Sequence, residues 1–391
     1  MEIEKIINTL SEFSDNEAGV TRLPFTVSSI NAFNYVQTIM KKIGLVTYSD
    51  KYGTIQGHLS GKIKDSIIIA SHYDSVINGG KYDGIVGIVV GLAVADYFIS
   101  NKILPNYSID IWALNDEEGV RFNQGFLSSK AITNTLNDNE IFDNKTKIPL
   151  SKFLEKNLYG NDNISLKTTL KNARGYVETH IEQGIILEKG NYDLGLVQNI
   201  VGIKRFYITV IGESGHAGTI PMKYRSDALV KASQLITKIY DIPFKYEDSV
   251  LTIGYLNVSP NAINIIPHKV TFSIDIRSSD IIKLNQIEKD IENIINKNNN
   301  KDIIIEKSTN VLPVSLLNEQ TNGLEEIIKK YKVNYIPINS GAGHDSQIFS
   351  EFLPTSMLFV PSQKGYSHRP DEYTDVKYIN KAIDVLCKYL M

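Results

Sequence analysis

The run Ile67-Ile68-Ile69-Ala70 gives way abruptly to Ser71-His72-Tyr73-Asp74-Ser75-Val76, and Gly79-Gly80-Lys81-Tyr82-Asp83-Gly84 then leads into an apolar stretch from Ile85 to Gly91. Four aliphatic residues ending in polar ones read as a buried strand whose carboxyl end delivers His72 to a crevice. His72 and Asp74 stand two positions apart, so on an extended backbone they point the same way. The Asp74 carboxylate can then accept the proton of the imidazole nitrogen that does not face a ligand. Gly79 and Gly80 let the chain turn back sharply, which brings Asp83 to the start of a helix that begins near Ile85. A histidine at a strand end and an aspartate at a helix start are half of a metal site, and the rest of the chain has to supply the other half.

Working outward, the helix from Ile85 to about Phe98 returns to a strand, Ser108 to Leu114. Strand, helix, strand in this order predicts an α/β layer with a mostly parallel sheet. The second strand ends in Asn115-Asp116-Glu117-Glu118-Gly119. Consecutive acids at a sheet end repel one another, and a cation relieves that repulsion. A second well-placed histidine, His180, follows a short strand from Tyr176 and precedes Glu182-Gln183-Gly184.

Upstream, Thr26 to Gly44 reads as a helix capped by Ser28 or Ser29, followed by strands at Leu45 to Tyr48 and Thr54 to Leu59. Residues 121–170 read as short helices and loops. After Gly190 the pattern turns β-rich. Leu194 to Ile211 reads as one long strand, Ser226 to Tyr240 as a helix, Val250 to Val258 and Lys269 to Arg277 as strands, and Ile281 to Ile295 as a helix ended by the Asn/Lys run 296–301. This is a split βαβ layer with helices on one face of an antiparallel sheet. We place it at 203–313, inserted into a catalytic domain formed by 1–202 and 314–391. A helix at Leu324 to Tyr331, a strand at Ser356 to Val360 and a last helix at Lys377 to Tyr389 complete that domain.

In 391 residues, 41 Lys plus Arg stand against 44 Asp plus Glu, dispersed along the chain. Nothing in this balance suits a nucleic acid or another polyanion as partner. The single cysteine, Cys387, excludes an internal disulfide framework and a thiolate cluster. Any metal is therefore held by imidazole and carboxylate, which suits zinc, manganese, cobalt or nickel. The charged start Met1-Glu2-Ile3-Glu4-Lys5 does not read as a signal peptide, and the apolar run Ile85 to Ala95 is too short to cross a bilayer. The expectation is a soluble, cytoplasmic protein with no membrane partner.

Of the 7 histidines, His58 and His268 sit among ordinary strand residues and are read as structural. His72, His180, His216, His344 and His368 stand in glycine- or serine-rich surroundings at strand ends. His72, Asp83, one of Glu117 and Glu118, His180 and His368 supply two cations with imidazole caps and one shared carboxylate. The remaining glutamate could take a proton from water.

These residues carry a resemblance. The motifs are His72-x-Asp74-Ser-Val with Gly79-Gly80-x-x-Asp83-Gly84; Asp116-Glu117-Glu118-Gly119-x-Arg121-Phe122; His180-Ile-Glu-Gln183-Gly184; Gly215-His216-Ala217-Gly218-Thr219-x-Pro221-Met222 with Arg225 and Asp227-Ala228; Asn264-x-Ile-Pro267 with Asp275-x-Arg277; Ser340-Gly-Ala-Gly343-His344-Asp345; and Ser367-His368 before Pro370 and Glu372. In this order, from about 67 to 375, they resemble the M20-type metallopeptidase superfamily in its ureido-amide hydrolase branch. That branch holds N-carbamoyl-L-amino acid hydrolases, allantoate amidohydrolases and β-ureidopropionases.

The resemblance implies a di-metal α/β domain with an inserted ferredoxin-like lid and dimerisation domain. It implies two divalent ions per subunit, Mn2+ or Zn2+ with Co2+ or Ni2+ as alternatives. His72 and His180 would hold one ion, Glu118 and His368 the other, and Asp83 both. Glu117 would be the general base and Asp74 the orienter of His72. Gln183, His216, Asn264 and Arg277 resemble substrate residues, with Gly343 and His344 nearby. The substrate would be a small linear ureido compound and the assembly a homodimer through the lid. An aminopeptidase or N-acyl-amino-acid deacylase of the same fold is the alternative. Gln183 argues against it, because a carboxylate usually stands at that position there.

Overall fold

The aliphatic run Ile67 to Ala70 lies in strand Ile63–His72, which ends at His72. Helix Ile85–Ser100 follows, and strand Tyr107–Leu114 returns parallel to the first with Ile67 opposite Ile109 and His72 opposite Leu114. The computed structural model describes residues 1–122, 124–160, 166–297 and 301–391. The chain divides into two units, residues 1–198 with 316–391, and residues 199–315.

The first unit carries a nine-stranded sheet except for its edge pairing of 199–200 with 314–315, which falls within 199–315. Its order is Val46–Ser49, Ile55–Leu59, Tyr107–Leu114, Ile63–His72, Ala173–Ile181, Thr355–Val360, Leu194–Ile200 and Val314–Ser315, with Tyr335–Ser340 also paired to Leu194–Ile200. The expected parallel sheet is its centre: Tyr107–Leu114, Ile63–His72, Ala173–Ile181 and Thr355–Val360 all run the same way. Ile55–Leu59 and Leu194–Ile200 flank that centre antiparallel to it, and Val46–Ser49 and Val314–Ser315 beyond them reverse direction again. Central strands covered on both faces read as unbroken apolar runs, and every residue of Thr355–Val360 is buried.

Helix Ile85–Ser100 is buried on almost all sides because it lies between this sheet and helix Val376–Leu390. Its contact with the sheet is closest at Gly87, where an added Cβ would stand 2.3 Å from the Thr179 carbonyl oxygen and 2.5 Å from Ser71 Cβ.

In the second unit, strands Leu256–Ser259, Lys269–Ser278, Gly202–Ile211 and Ile303–Val311 form an antiparallel sheet, with Ser249–Thr252 also on Lys269–Ser278. Alternation assigns its faces. Phe206, Ile208, Val210, Val270, Phe272, Ile274 and Ile276 pack under helices Ala228–Tyr240 and Ile281–Lys297. Arg205, Tyr207, Ser273, Asp275 and Arg277 occupy the other face and are not buried.

Four expectations change. Leu194 to Ile211 is two strands, Leu194–Ile200 and Gly202–Ile211, because the chain leaves one sheet for another at Val201. Val250 to Val258 is interrupted between Ser249–Thr252 and Leu256–Ser259, both on the same neighbour. The first long helix runs Val27–Ile43 and is capped by Thr26, whose side chain accepts the Ser29 N–H. The turn after Val76 is made by Asn78 at φ 55°, and neither Gly79 nor Gly80 has a positive φ. The run 296–301 falls partly outside the described residues. Among the described residues no helix is long and apolar enough to cross a membrane.

Gly87→Ala should force the helix off the sheet and cost about 1 to 3 kcal/mol, as overpacking of a dense core does. The check is the denaturant midpoint of the variant against the parent, and an unchanged midpoint would refute the contact.

Candidate metal centre

The four parallel strands all end on one side of the sheet, and each end or the loop beyond it supplies part of one cluster, as expected at the carboxyl edge of a parallel sheet. His72 ends Ile63–His72, and Asp83 follows in the loop before helix Ile85–Ser100. Glu117 and Glu118 follow Tyr107–Leu114, His180 lies near the end of Ala173–Ile181, and the loop after Thr355–Val360 carries His368.

Asp83 is the hub. Its Oδ1 lies 3.1 Å from His180 Nε2 and 3.4 Å from His72 Nε2, which are themselves 3.4 Å apart. Its Oδ2 lies 3.3 Å from His368 Nε2, which in turn lies 3.3 Å from Glu118 Oε1. Ligands at about 2.0 to 2.1 Å from a tetrahedral ion stand about 3.3 Å from one another. Both donor groups have that spacing.

The tautomers agree. His180 Nδ1 donates to the Ile181 carbonyl at 2.9 Å, and His72 Nδ1 donates to the Asp74 carbonyl at 3.2 Å. Both Nε2 atoms therefore turn lone pairs into the same space, an arrangement that a shared cation satisfies. The residues present fit a divalent metal. His72, Glu117 and Glu118 form a third group with donor atoms within 4.8 Å of one another.

Asp74, expected to orient His72 through its carboxylate, meets the ring through its main-chain carbonyl instead. Its Oδ1 is 3.5 Å from His72 Nδ1, longer than a hydrogen bond. Its two oxygens accept the Glu117 and Glu118 N–H groups at 3.0 and 3.2 Å. One carboxylate thus ties the acidic pair to the histidine strand.

Electrostatics follow from this crowding. Burial pushes the Glu117 carboxyl well above its usual range, with Glu118, Asp345 and Asp74 adding to the shift and His72 opposing it. Burial works to raise Asp83 as well, but His180, His368 and His72 hold it well below the carboxylate range. Asp83 and Glu118 raise His368 to about 10. Burial followed by Glu178 pushes Asp345 to about 8.

Three non-glycine residues here have left-handed backbones: Asp116 at φ 61°, Gln183 at 58° and His368 at 58°. Such strain persists where surrounding structure fixes it, often at functional sites. Gln183 sits against the hub: its Nε2 donates to Asp83 Oδ2 at 2.9 Å and to Ser367 Oγ at 3.1 Å, and its Oε1 is buried without a partner. His344 is 1% exposed, meets the His180 ring edge-on at 4.7 Å between centroids, and bonds Ser340 Oγ through Nε2 at 2.8 Å. Gly343 precedes it, against Gln347 and Phe126.

His216, Asn264 and Arg277 belong to the second unit. His216 is exposed on strand Gly215–His216, which pairs with Ile265–Ile266, and the Asn264 carbonyl accepts the Ala217 N–H at 3.0 Å. Arg277 Nε donates to Asp275 Oδ1 at 2.8 Å. His58, read as structural, bonds Asp110 at 2.8 Å.

Ser367, which donates to Asp83 Oδ2 at 2.9 Å, and Glu372 have no role that the sequence alone assigns. Their place in the His368 motif was the available signal. The same holds for Glu178, which is buried and accepts from Ser346 through both N–H and Oγ.

A parallel sheet whose carboxyl edge gathers imidazoles and paired acids around one shared aspartate defines a metal-dependent hydrolase. Residues 68–391 match the model of peptidase family M20/M25/M40, and the chain belongs to that family. It is 32% identical to an N-carbamoyl-L-amino-acid amidohydrolase of Paenarthrobacter aurescens, over 99% of this chain and 96% of that protein. It is 32% identical to an allantoate amidohydrolase of Escherichia coli (strain K12), over 99% and 96%. The crystal structure of an amidase of the hydantoinase/carbamoylase family from Burkholderia multivorans superposes with a TM-score of 0.90 at 26% identity, covering 100% of this chain and 97% of that one.

Asp74→Ala should strand the Glu117 and Glu118 amide donors and so misplace that acidic pair, lowering metal affinity about 10- to 100-fold. Competition with a chelator measures this, and parent affinity in the variant would refute it.

Proposed function

We propose that the protein is an amidohydrolase that cleaves a carbon–nitrogen bond of a linear ureido compound, allantoate or an N-carbamoyl-L-amino acid, with two divalent cations held by His72, His180, Asp83, Glu118 and His368. The observation that carries the reading is Asp83, whose two oxygens face separate donor groups. Relatives named for both substrates, at 32% identity over nearly the whole chain, support the ureido class. Imidazole and carboxylate donors without thiolate suit Mn2+ or Zn2+, and Co2+ or Ni2+ less commonly.

When bound, the cations supply Lewis acidity to the ureido carbonyl and make water acidic near neutral pH. The chain's residues do the rest. Glu117, raised by burial, accepts the proton of the attacking water and returns it to the leaving nitrogen. Asp74 fixes the Glu117 backbone through its N–H. The Gln183 Oε1, buried without a partner, suits a substrate N–H. Water and a terminal ureido group, R–NH–CO–NH2, give ammonia and a carbamic acid, which splits into R–NH2 and carbon dioxide.

Arg277 offers a planar fork to the substrate carboxylate, with Asn264 beside it in the substrate set. His216, on a glycine-flanked loop, stabilises the developing oxyanion. His344 serves the site through the His180 ring, and Gly343 supplies backbone close to substrate. The second unit acts as lid and as the contact of a cytoplasmic homodimer. The exposure of Met222 at 77%, Tyr224 at 68% and Ile263 at 103% supports such a contact.

Ammonia release by manganese-loaded protein from allantoate and from N-carbamoyl amino acids tests the reading. Glu117→Gln should reduce turnover about 10²- to 10⁴-fold while metal stays bound; retained turnover removes Glu117 from the base role. Arg277→Ala should raise KM roughly tenfold to a hundredfold, the worth of about 1.5 to 3 kcal/mol for a charged hydrogen bond. An unchanged KM would refute that assignment, and silence on both substrates with deacylase activity would move the protein to the other branch.

A further inference from the structure

We propose that Glu372 is a positioning residue: from the loop that carries His368, its carboxylate holds the backbone of Asp83 and so sets both cation sites in register. The proposal rests on the two-cation reading above.

Glu372 is 3% exposed and lies outside each of the three donor groups. Its Oε1 accepts two N–H groups, from Tyr82 at 2.9 Å and from Asp83 at 3.0 Å. These amides immediately precede helix Ile85–Ser100, where unpaired N–H groups and the positive end of the helix favour a carboxylate. Gly80 makes room for it: a Cβ there would stand 2.3 Å from both Cδ and Oε1 of Glu372. Since Gly80 has no positive φ, close approach is what this position requires.

The loop that presents Glu372 is itself braced. His368 takes a left-handed backbone, the Glu372 N–H bonds the Arg369 carbonyl at 3.1 Å, and the Tyr373 carbonyl accepts the Gln363 N–H at 2.9 Å. The Tyr82 and Tyr373 rings meet edge to face at 5.7 Å. Ser367 of the same loop donates to Asp83 Oδ2. Asp83 is thus gripped twice, at its backbone by Glu372 and at its side chain by Ser367. Because Asp83 alone faces both donor groups, a backbone shift of about 0.5 Å would misplace an oxygen at each.

What the contact needs is an accepting oxygen at the right reach. Glutamine keeps that oxygen, and aspartate keeps the charge but withdraws it by one methylene. The full-length parent, Glu372→Gln, Glu372→Asp, Gly80→Ala and the Gly80→Ala/Glu372→Asp double variant would be stripped of metal and titrated with Mn2+ against a chromophoric chelator. Thermal unfolding of the metal-free forms is followed alongside.

The parent should bind two Mn2+ per chain and Glu372→Gln should stay within about threefold of it. Glu372→Asp and Gly80→Ala should each bind about 10- to 100-fold more weakly. The double variant should be no weaker than the worse single, because both changes disturb one contact. Should Glu372→Asp not fold, Gly80→Ala carries the comparison. Parent affinity in both, with only the metal-free midpoint lowered, would make Glu372 merely structural and overturn the proposal. So would glutamine binding as weakly as aspartate. A parent that binds no Mn2+ would remove the two-cation reading and the proposal together.

Discussion

One carboxylate has to face two ways. Asp83 presents Oδ1 to His72 and His180 and Oδ2 to His368, and the rest of the first unit is arranged so that this is possible. Ligands to small cations must converge to about 3.3 Å, whereas the residues concerned are spread from 72 to 368 in sequence. Only the edge of a parallel sheet brings so many distant chain segments to one line, since each strand ends there and each following loop begins there.

Gathering acids in a dry place has a cost, and the structure shows where it falls. Asp116 is 0% exposed with both carboxyl oxygens unpartnered, and burial with Asp74 nearby holds it well above the carboxylate range. Left-handed backbones at Asp116, Gln183 and His368 add roughly 1 kcal/mol or more each. Hydrogen bonds to main-chain amides offset part of this: Asp74 holds the amides of Glu117 and Glu118, and Ser362 Oγ holds that of Gln183. The charged groups of the site are thus held by the backbone around them as well as by one another.

The sequence made some of this readable. Ile67 to Ala70 followed by His72 could hardly be anything but a buried strand delivering a polar end, and the apolar helix after it required a parallel return. Alternation in Gly202–Ile211 and Lys269–Ser278 likewise showed a sheet with one covered face. The break at Val201 was not readable, because strands on either side alternate alike and only pairing decides which sheet takes each. Gly80 reads as a turn because glycine permits one, although a carboxylate 292 positions later in the chain is what fills the space. Glu372 escaped for the same reason. A side chain that serves main-chain amides leaves no pattern of residue types to recognise.

The order of the sheet also bears on how the protein is made. Thr355–Val360 lies between Ala173–Ile181 and Leu194–Ile200, so the main sheet has a gap at its centre until residues 355–360 are made. The second unit draws its core from the continuous stretch 199–315 and has all its strands to hand far earlier. During synthesis it can therefore fold while the larger unit waits, its carboxyl edge open and its acids unneutralised. The last strand closes the sheet and, a few residues on, brings His368. A chain released before Thr355 would carry the core of the second unit but neither the strand that closes the main sheet nor His368.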